Sequence, residues 1–392
     1  MTRNIPRFVC LIAVVGVQAS LMQGQSQEDI HQKAKAEGRS AVAYVYVSTT
    51  PKNGNVSQIE AFAATKNGKL TPVPGSPFAA DEGSLAVNER YLFGANTKTP
   101  DIDAYSIEPN GALMFASSSN YAKYNPDDCG IAGLVFLDRT GRSVYAMEFE
   151  GDCSNNLYQS FAVKQQTGEL ANLGTDAVNS WLTLPASFLG NDRYAYSASC
   201  LGNMYWGIFG FERASNGLLK EIGNTPTPNA KQGDFYCPSN VSTDPANHVA
   251  IAMQAVNGQT FASDGAAQIA TYTADGAGTL ATKSTQENMP ELEVGSVNDI
   301  KIDPSGGLLA VGGSGGLQIF HFNGSRPITR YTDKLTSDAI DQFFWDNDDH
   351  IYAISREAGK LFVFTVKQTS GHEAPGSPYK VSQPQSIVVQ AQ

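Results

Sequence analysis

From Ile300 to Gly324 the chain reads Ile300-Lys301-Ile302-Asp303-Pro304-Ser305-Gly306-Gly307, then the apolar run Leu308 to Gly312, then Leu317-Gln318-Ile319-Phe320-His321, then Asn323-Gly324. Each apolar segment is four to six residues long and is closed by a glycine-bearing polar turn, the pattern of short antiparallel strands joined by tight hairpins. The same unit recurs along the chain. Its hairpin turns are Asn67-Gly68, Asn110-Gly111, Thr167-Gly168, Asn216-Gly217, Ala277-Gly278, Asn323-Gly324 and Ser370-Gly371, spaced about fifty residues apart. The strand before each turn alternates apolar and polar side chains, as in Ile102-Asp103-Ala104-Tyr105-Ser106 and Leu361-Phe362-Val363-Phe364-Thr365. That alternation places one face of each strand against a neighbour.

Four strands per unit and seven units predict an all-β chain, a seven-bladed β-propeller with four antiparallel strands per blade. The first unit begins at Ala41 without its innermost strand, and the last segment, Ser386-Ile387-Val388-Val389-Gln390, is a strand without a blade. Pairing of this C-terminal strand with the N-terminal blade closes the ring and removes the exposed edge of an open sheet. The propeller is therefore expected over residues 41–392 as a single domain, with residues 27–40 a flexible lead-in.

Composition agrees. The 392 residues include 37 glycines, 19 Phe and 16 Tyr but only 17% charged residues, the make-up of a compact, turn-rich chain rather than a helical or disordered one. Lys and Arg number 27 against 38 Asp and Glu, a net charge of −11, which repels phosphate backbones and anionic lipid headgroups. Nucleic acid is not an expected partner.

At the N-terminus, Arg3 and Arg7 precede the apolar run Phe8 to Val17, followed by small and polar residues. This is the layout of a secretory signal peptide over residues 1–26, and the run is too short to span a bilayer. A secreted or periplasmic monomer follows as the expectation. Without Cys10, which lies in the apolar run, the chain retains Cys129, Cys153, Cys200 and Cys237. An even number in an exported chain points to disulfides, with three pairings possible. Their positions at the loop ends of strands favour Cys129 with Cys153 and Cys200 with Cys237. No CxxC spacing or histidine cluster suggests a zinc site, and no cofactor motif is present.

The Asn-Gly-x-Leu turns, together with Pro74-Gly75-Ser76-Pro77-Phe78 and its echo Pro375-Gly376-Ser377-Pro378-Tyr379, resemble the bacterial lactonase-like propellers, the 6-phosphogluconolactonase family. The resemblance covers about residues 41–390. It implies a lactone hydrolase with a histidine, an arginine and a glutamate around the central channel. Val144-Tyr145-Ala146-Met147-Glu148 matches the strand that ends in the glutamate, so the resemblance makes Glu148 the catalytic position. The stretches that would hold the arginine and histidine read Gly130-Ile131-Ala132-Gly133 and Leu184-Pro185-Ala186-Ser187 instead. A carboxylate alone does not move protons and stabilise an oxyanion without donors.

Binding without catalysis is the first expectation, and hydrolysis of a sugar lactone with Glu148 as base is the alternative. In that alternative Asp299, Lys301, Asp341 or Arg356 takes over charge stabilisation. The long loops all fall on one rim, and Tyr121, Tyr124, Tyr205, Trp206, Phe235 and Tyr236 enrich that rim in rings suited to stacking on a sugar or anchoring a peptide. A protein or carbohydrate-like small molecule is the expected partner. Asp346-Asn347-Asp348-Asp349 carries oxygens at alternate positions but lacks the glycine and distal glutamate of a calcium loop, so it reads as a solvated turn. Gly312-Gly313-Ser314-Gly315-Gly316 lacks the following helix of a phosphate cradle.

Overall fold

The computed structural model describes residues 41–50, 57–121, 132–148, 158–175, 182, 184–201, 205–367 and 370–392. Their strands form seven antiparallel sheets arranged as the blades of a propeller. The expected closure is present. The C-terminal strand Pro384–Ala391 pairs antiparallel with Ala41–Thr49, with Val45 opposite Val389 and Tyr46 opposite Val388. It thereby becomes the innermost strand of the first blade. The innermost strands of the second to seventh blades are Glu82–Val87, Ala132–Leu137, Ser187–Phe188, Asp234–Thr243, Val297–Ile302 and Gln342–Trp345.

Apolar side chains gather in the seams between blades. Seven clusters of buried residues correspond to the seven seams; one, for example, joins Tyr145 and Met147 of the third blade to Phe188 and Ala195 of the fourth. Alternation along each strand is what sends one set of side chains into the seam on each side.

The hairpin glycines have a second role beyond their turns. Tyr44, Tyr91, Tyr194, His248 and His350, each near the start of a second strand, lay their rings against Gly111, Gly168, Gly278, Gly324 and Gly68 of the next blade. A Cβ at Gly278 would come within 2.5 Å of the Tyr194 ring, and one at Gly168 within 2.9 Å of Tyr91. These glycines also adopt positive φ, +81° at Gly278 and +73° at Gly168, which other residues adopt only with strain. Tyrosine hydroxyls complete the contact: Tyr44 donates to the Pro109 carbonyl at 2.9 Å and Tyr194 to that of Gly276 at 3.0 Å. Burying each ring contributes roughly 2 kcal/mol of apolar stabilisation.

The turns that lead from innermost to second strands are capped by a side chain. Asp346 accepts hydrogen bonds from the backbone of Asp348 and His350 and from Nδ1 of His350; Asp244 and Asp303 hold their own turns in the same manner. The Asp346 cluster is thus a structural turn. Burial opposes ionisation of Asp346, but the hydrogen bonds from His350 prevail and hold its pKa below the usual aspartate value.

The two Pro-Gly-Ser-Pro motifs fold alike. Ser76 Oγ accepts from the Ala61 amide and Ser377 Oγ from the Val363 amide, both at 2.9 Å, and each motif then adds a short strand, Phe78–Ala79 or Tyr379–Lys380, beside the third strand of its blade. No helix among the described residues is long and apolar enough to cross a membrane.

Candidate functional site: the central channel

All innermost strands run in the same sense around the axis, so their starts share one rim with the long loops and their ends share the other. They enclose a central cavity of about 450 Å³ to which all seven blades contribute. Its wall is made largely of small and apolar residues such as Ser84, Ala86, Val135, Ala186, Val241 and Val388. Four charged residues stand against that wall, Asp138, Arg139, Asp299 and Lys301. Asp299 and Lys301 occupy alternate positions of the sixth blade's innermost strand, so both side chains project from the same face.

Lys301 Nζ lies 3.0 Å from Asp299 Oδ1 and 4.4 Å from the centre of the Phe344 ring on the seventh blade. The ring face supplies a second attraction for the ammonium. Asp299 Oδ2 accepts the Phe343 amide at 3.1 Å, and Trp345 Nε1 donates to the Lys301 carbonyl at 3.1 Å. Burial pushes the Asp299 carboxyl up, opposed by the Lys301 ammonium and by the amide hydrogen bonds. The result is a positioned acid–base couple inside a cavity of small-ligand size.

At the far end of the cavity stands Arg139, which sequence reasoning did not single out. Its Nε donates to the Phe188 carbonyl at 2.6 Å, and Nη2 donates to the carbonyls of Thr243 and Asp244, each at 3.2 Å. One side chain of the third blade therefore ties down the fourth and fifth blades beneath the channel. The signal for it was its place directly after Asp138, the capping residue of the turn that ends an innermost strand.

Asp341 and Arg356 form a separate group on the loop rim. Asp341 Oδ2 accepts the Arg356 amide at 2.7 Å, while Arg356 Nε and Nη2 donate to the carbonyls of Pro384 and Gln385 at 3.3 and 3.2 Å. Arg356 thus holds the start of the closing strand to the seventh blade rather than facing the cavity.

The aromatic rim is smaller than the sequence suggested. Tyr121 is 2% exposed and packs against Phe161 in the seam of the second and third blades, with ring centres 6.3 Å apart. Tyr236 is fully buried, its hydroxyl 2.7 Å from Gln268 Oε1. Both rings are core, because each sits on the seam-facing side of its segment. Phe235, adjacent to Tyr236 and therefore on the opposite face, is half-buried and meets Phe261 with ring centres 6.2 Å apart; Phe261 is 45% exposed.

Tyr205 and Trp206 pair through their backbones with Leu201 and Cys200. Glu148 is the last residue of its strand, opposite Ala132, and so stands at the loop rim. Cys200 and Cys237 are joined, linking the fourth blade's second strand to the fifth blade's innermost strand with Cα atoms 5.3 Å apart. Tyr124, Cys129 and Cys153 lie outside the described residues, as do residues 1–40. Among the described residues no group of three or more His, Cys, Asp or Glu side chains is placed to hold a metal ion.

Comparison with solved structures places this architecture. The periplasmic gluconolactonase of Pseudomonas aeruginosa superposes with a TM-score of 0.65 at 14% identity, over 89% of this chain and 99% of that one. A candidate 6-phosphogluconolactonase from Bacteroides uniformis gives 0.64 at 14% identity with the same coverage. The chain has the lactonase-like propeller fold. The hydrazine synthase of Kuenenia stuttgartiensis also superposes, at 0.56 and 10% identity over 81% of this chain and 94% of that one, so the architecture is shared by proteins of unlike chemistry. No family model and no curated protein matches the sequence.

Proposed function

We propose that this lactonase-like propeller is an exported binding module whose channel takes a small carbohydrate-like ligand without turning it over. The observation that carries the reading is the Asp299–Lys301 couple, held by Phe343 and Phe344 in a cavity of about 450 Å³. Such a couple offers a donor and an acceptor a few ångströms apart, which suits a hydroxyl-rich or carboxylate-bearing ligand. The Leu184 to Ser187 stretch, where the family resemblance implies ionisable catalytic groups, instead lines the channel with Leu, Pro, Ala and Ser.

A second reading is favoured by one position. Glu148 closes its strand at the loop rim in the place the resemblance implies for a catalytic glutamate. In that reading Glu148 is the base and Lys301 stabilises the charge that develops on a sugar lactone. Incubating the protein with a panel of sugar lactones, beside the Glu148→Gln and Lys301→Met variants, separates the two. Saturable binding lost only in Lys301→Met supports the module; hydrolysis lost in Glu148→Gln supports the enzyme.

A further inference from the structure

The seam between the third and fourth blades departs from the repeat twice, on the rim opposite the long loops. Where Tyr44, Tyr91, Tyr194, His248 and His350 fill the space beside the next blade's glycine, the third blade has Ser143, facing Gly217. The neighbouring third-strand position is apolar in five blades, as Ile107, Val163, Ala274, Phe322 and Val366, each donating its amide to the carbonyl of the residue just before the second strand. In the fourth blade that position is Arg213.

The missing ring leaves a cavity of about 260 Å³. Its polar lining is Arg142, Arg213, Ser143, Thr140, Gln165, Ser215 and Asn216. Arg213 is fixed at its inner side: Nε pairs with buried Asp138 at 2.6 Å and lies 3.7 Å from Asp192 Oδ2, and Nη2 donates to Ser143 Oγ at 3.1 Å, so Arg142 supplies the uncompensated charge of the opening. Arg142 is exposed and forms no ion pair with a described residue. Two guanidinium groups, the hydroxyls of Ser143 and Ser215 and the side-chain amides of Gln165 and Asn216 converge on one opening of a chain whose net charge is −11, while the Thr140 hydroxyl donates to Asp138 at 3.0 Å.

We propose that this seam is a binding site for the phosphate group of a small molecule. Guanidinium forks match oxyanions in geometry and charge, and hydroxyl donors around them serve the several oxygens of a tetrahedral anion better than the two of a planar carboxylate. The cavity lies just below the usual size of a small-molecule pocket, about 300 Å³ and upward, so the ligand is compact. Ser143 is what makes the site: a ring there restores the repeat and fills the cavity. This site is separate from the central channel, and neither reading depends on the other.

The test is calorimetric titration of inorganic phosphate, with acetate as comparison, into the intact protein and into Arg142→Gln and Ser143→Tyr. The expected result is saturable binding of one phosphate, at least about tenfold tighter than acetate, weakened about tenfold or more by Arg142→Gln, the loss expected of one charge-assisted contact. Ser143→Tyr is expected to abolish binding. Arg142 is exposed, so its variant folds even if the tyrosine at 143 does not fit beside Arg213. No saturable phosphate binding, equal affinity for acetate, or affinity unchanged in Arg142→Gln would overturn the proposal.

Discussion

Lys301 Nζ rests 3.0 Å from Asp299 Oδ1, and the couple belongs to one face of one strand at the channel wall. Replacing Lys301 with Met keeps most of the stem's packing but leaves a buried carboxylate with only amide partners. Loss of about 2 kcal/mol of stability at neutral pH is expected from stranding the charge. The deficit should shrink as pH falls, because Asp299 then takes up a proton and the lysine no longer matters. Chemical denaturation of wild type and Lys301→Met at neutral and acidic pH checks the sign.

Glu82 is a second buried acid with a different environment. It is 1% exposed in the seam of the first two blades, and its Oε1 accepts the Tyr105 hydroxyl at 3.0 Å. Burial, followed by repulsion from Asp103, pushes its pKa from 4.5 to about 8 despite that hydrogen bond. The folded state therefore keeps a proton that the unfolded chain releases above 4.5. Stability falls as pH rises from about 4.5 to about 8 and is level beyond, a loss of roughly 5 kcal/mol at most. Glu82→Gln removes this dependence, so it should be more stable than wild type at pH 8 and differ little at pH 4.5. Denaturation midpoints across that window test it.

The ring-to-glycine contacts make a sharper stability prediction. A methyl at Gly111 would run into the Tyr44 ring and also sit at φ +82°, whereas Gly174, at φ +99°, has nothing within 4 Å of where its Cβ would be. Gly111→Ala is expected to cost about 3 kcal/mol or more, from strain plus a displaced core ring. Gly174→Ala should cost only the backbone strain, about 1 to 2 kcal/mol. Paired thermal melts of the two variants measure the difference.

Much of the architecture was legible because its signals are local. Asn110-Gly111 announces a hairpin, Ile102 to Ser106 announces a half-buried strand, and the absent first strand matched the surplus Ser386 to Gln390. What the sequence did not reveal depends on residues far apart in the chain. Tyr44 meets Gly111 across 67 positions, and nothing near Tyr44 states this. Tyr121 and Tyr236 adjoin long loops, which suggests the rim, but adjacency to a loop does not decide which face of the sheet a ring takes. Lys301 was visible as a charge between two isoleucines. Arg139 and Glu82 were not, because each lies in a turn-like stretch where charges are ordinary.

The bond between Cys200 and Cys237 closes a loop with a sequence separation of 37 residues. On the chain-entropy model such a closure contributes roughly 4 kcal/mol by restricting the unfolded state. The double variant Cys200→Ala, Cys237→Ala should lose a stability of that order while keeping the fold. Peptide mapping without reductant should recover the two cysteines in one linked pair. Cys237 linked elsewhere would contradict the structure.

The proposed role of the channel is to bind without hydrolysing. Isothermal titration of a sugar lactone reads both at once, since binding gives heat that saturates and turnover gives steady power after each injection. A binding channel gives saturable heat at one site in wild type, absent in Lys301→Met, with no steady power. Sustained power that disappears in Glu148→Gln would contradict it and make the protein a lactone hydrolase.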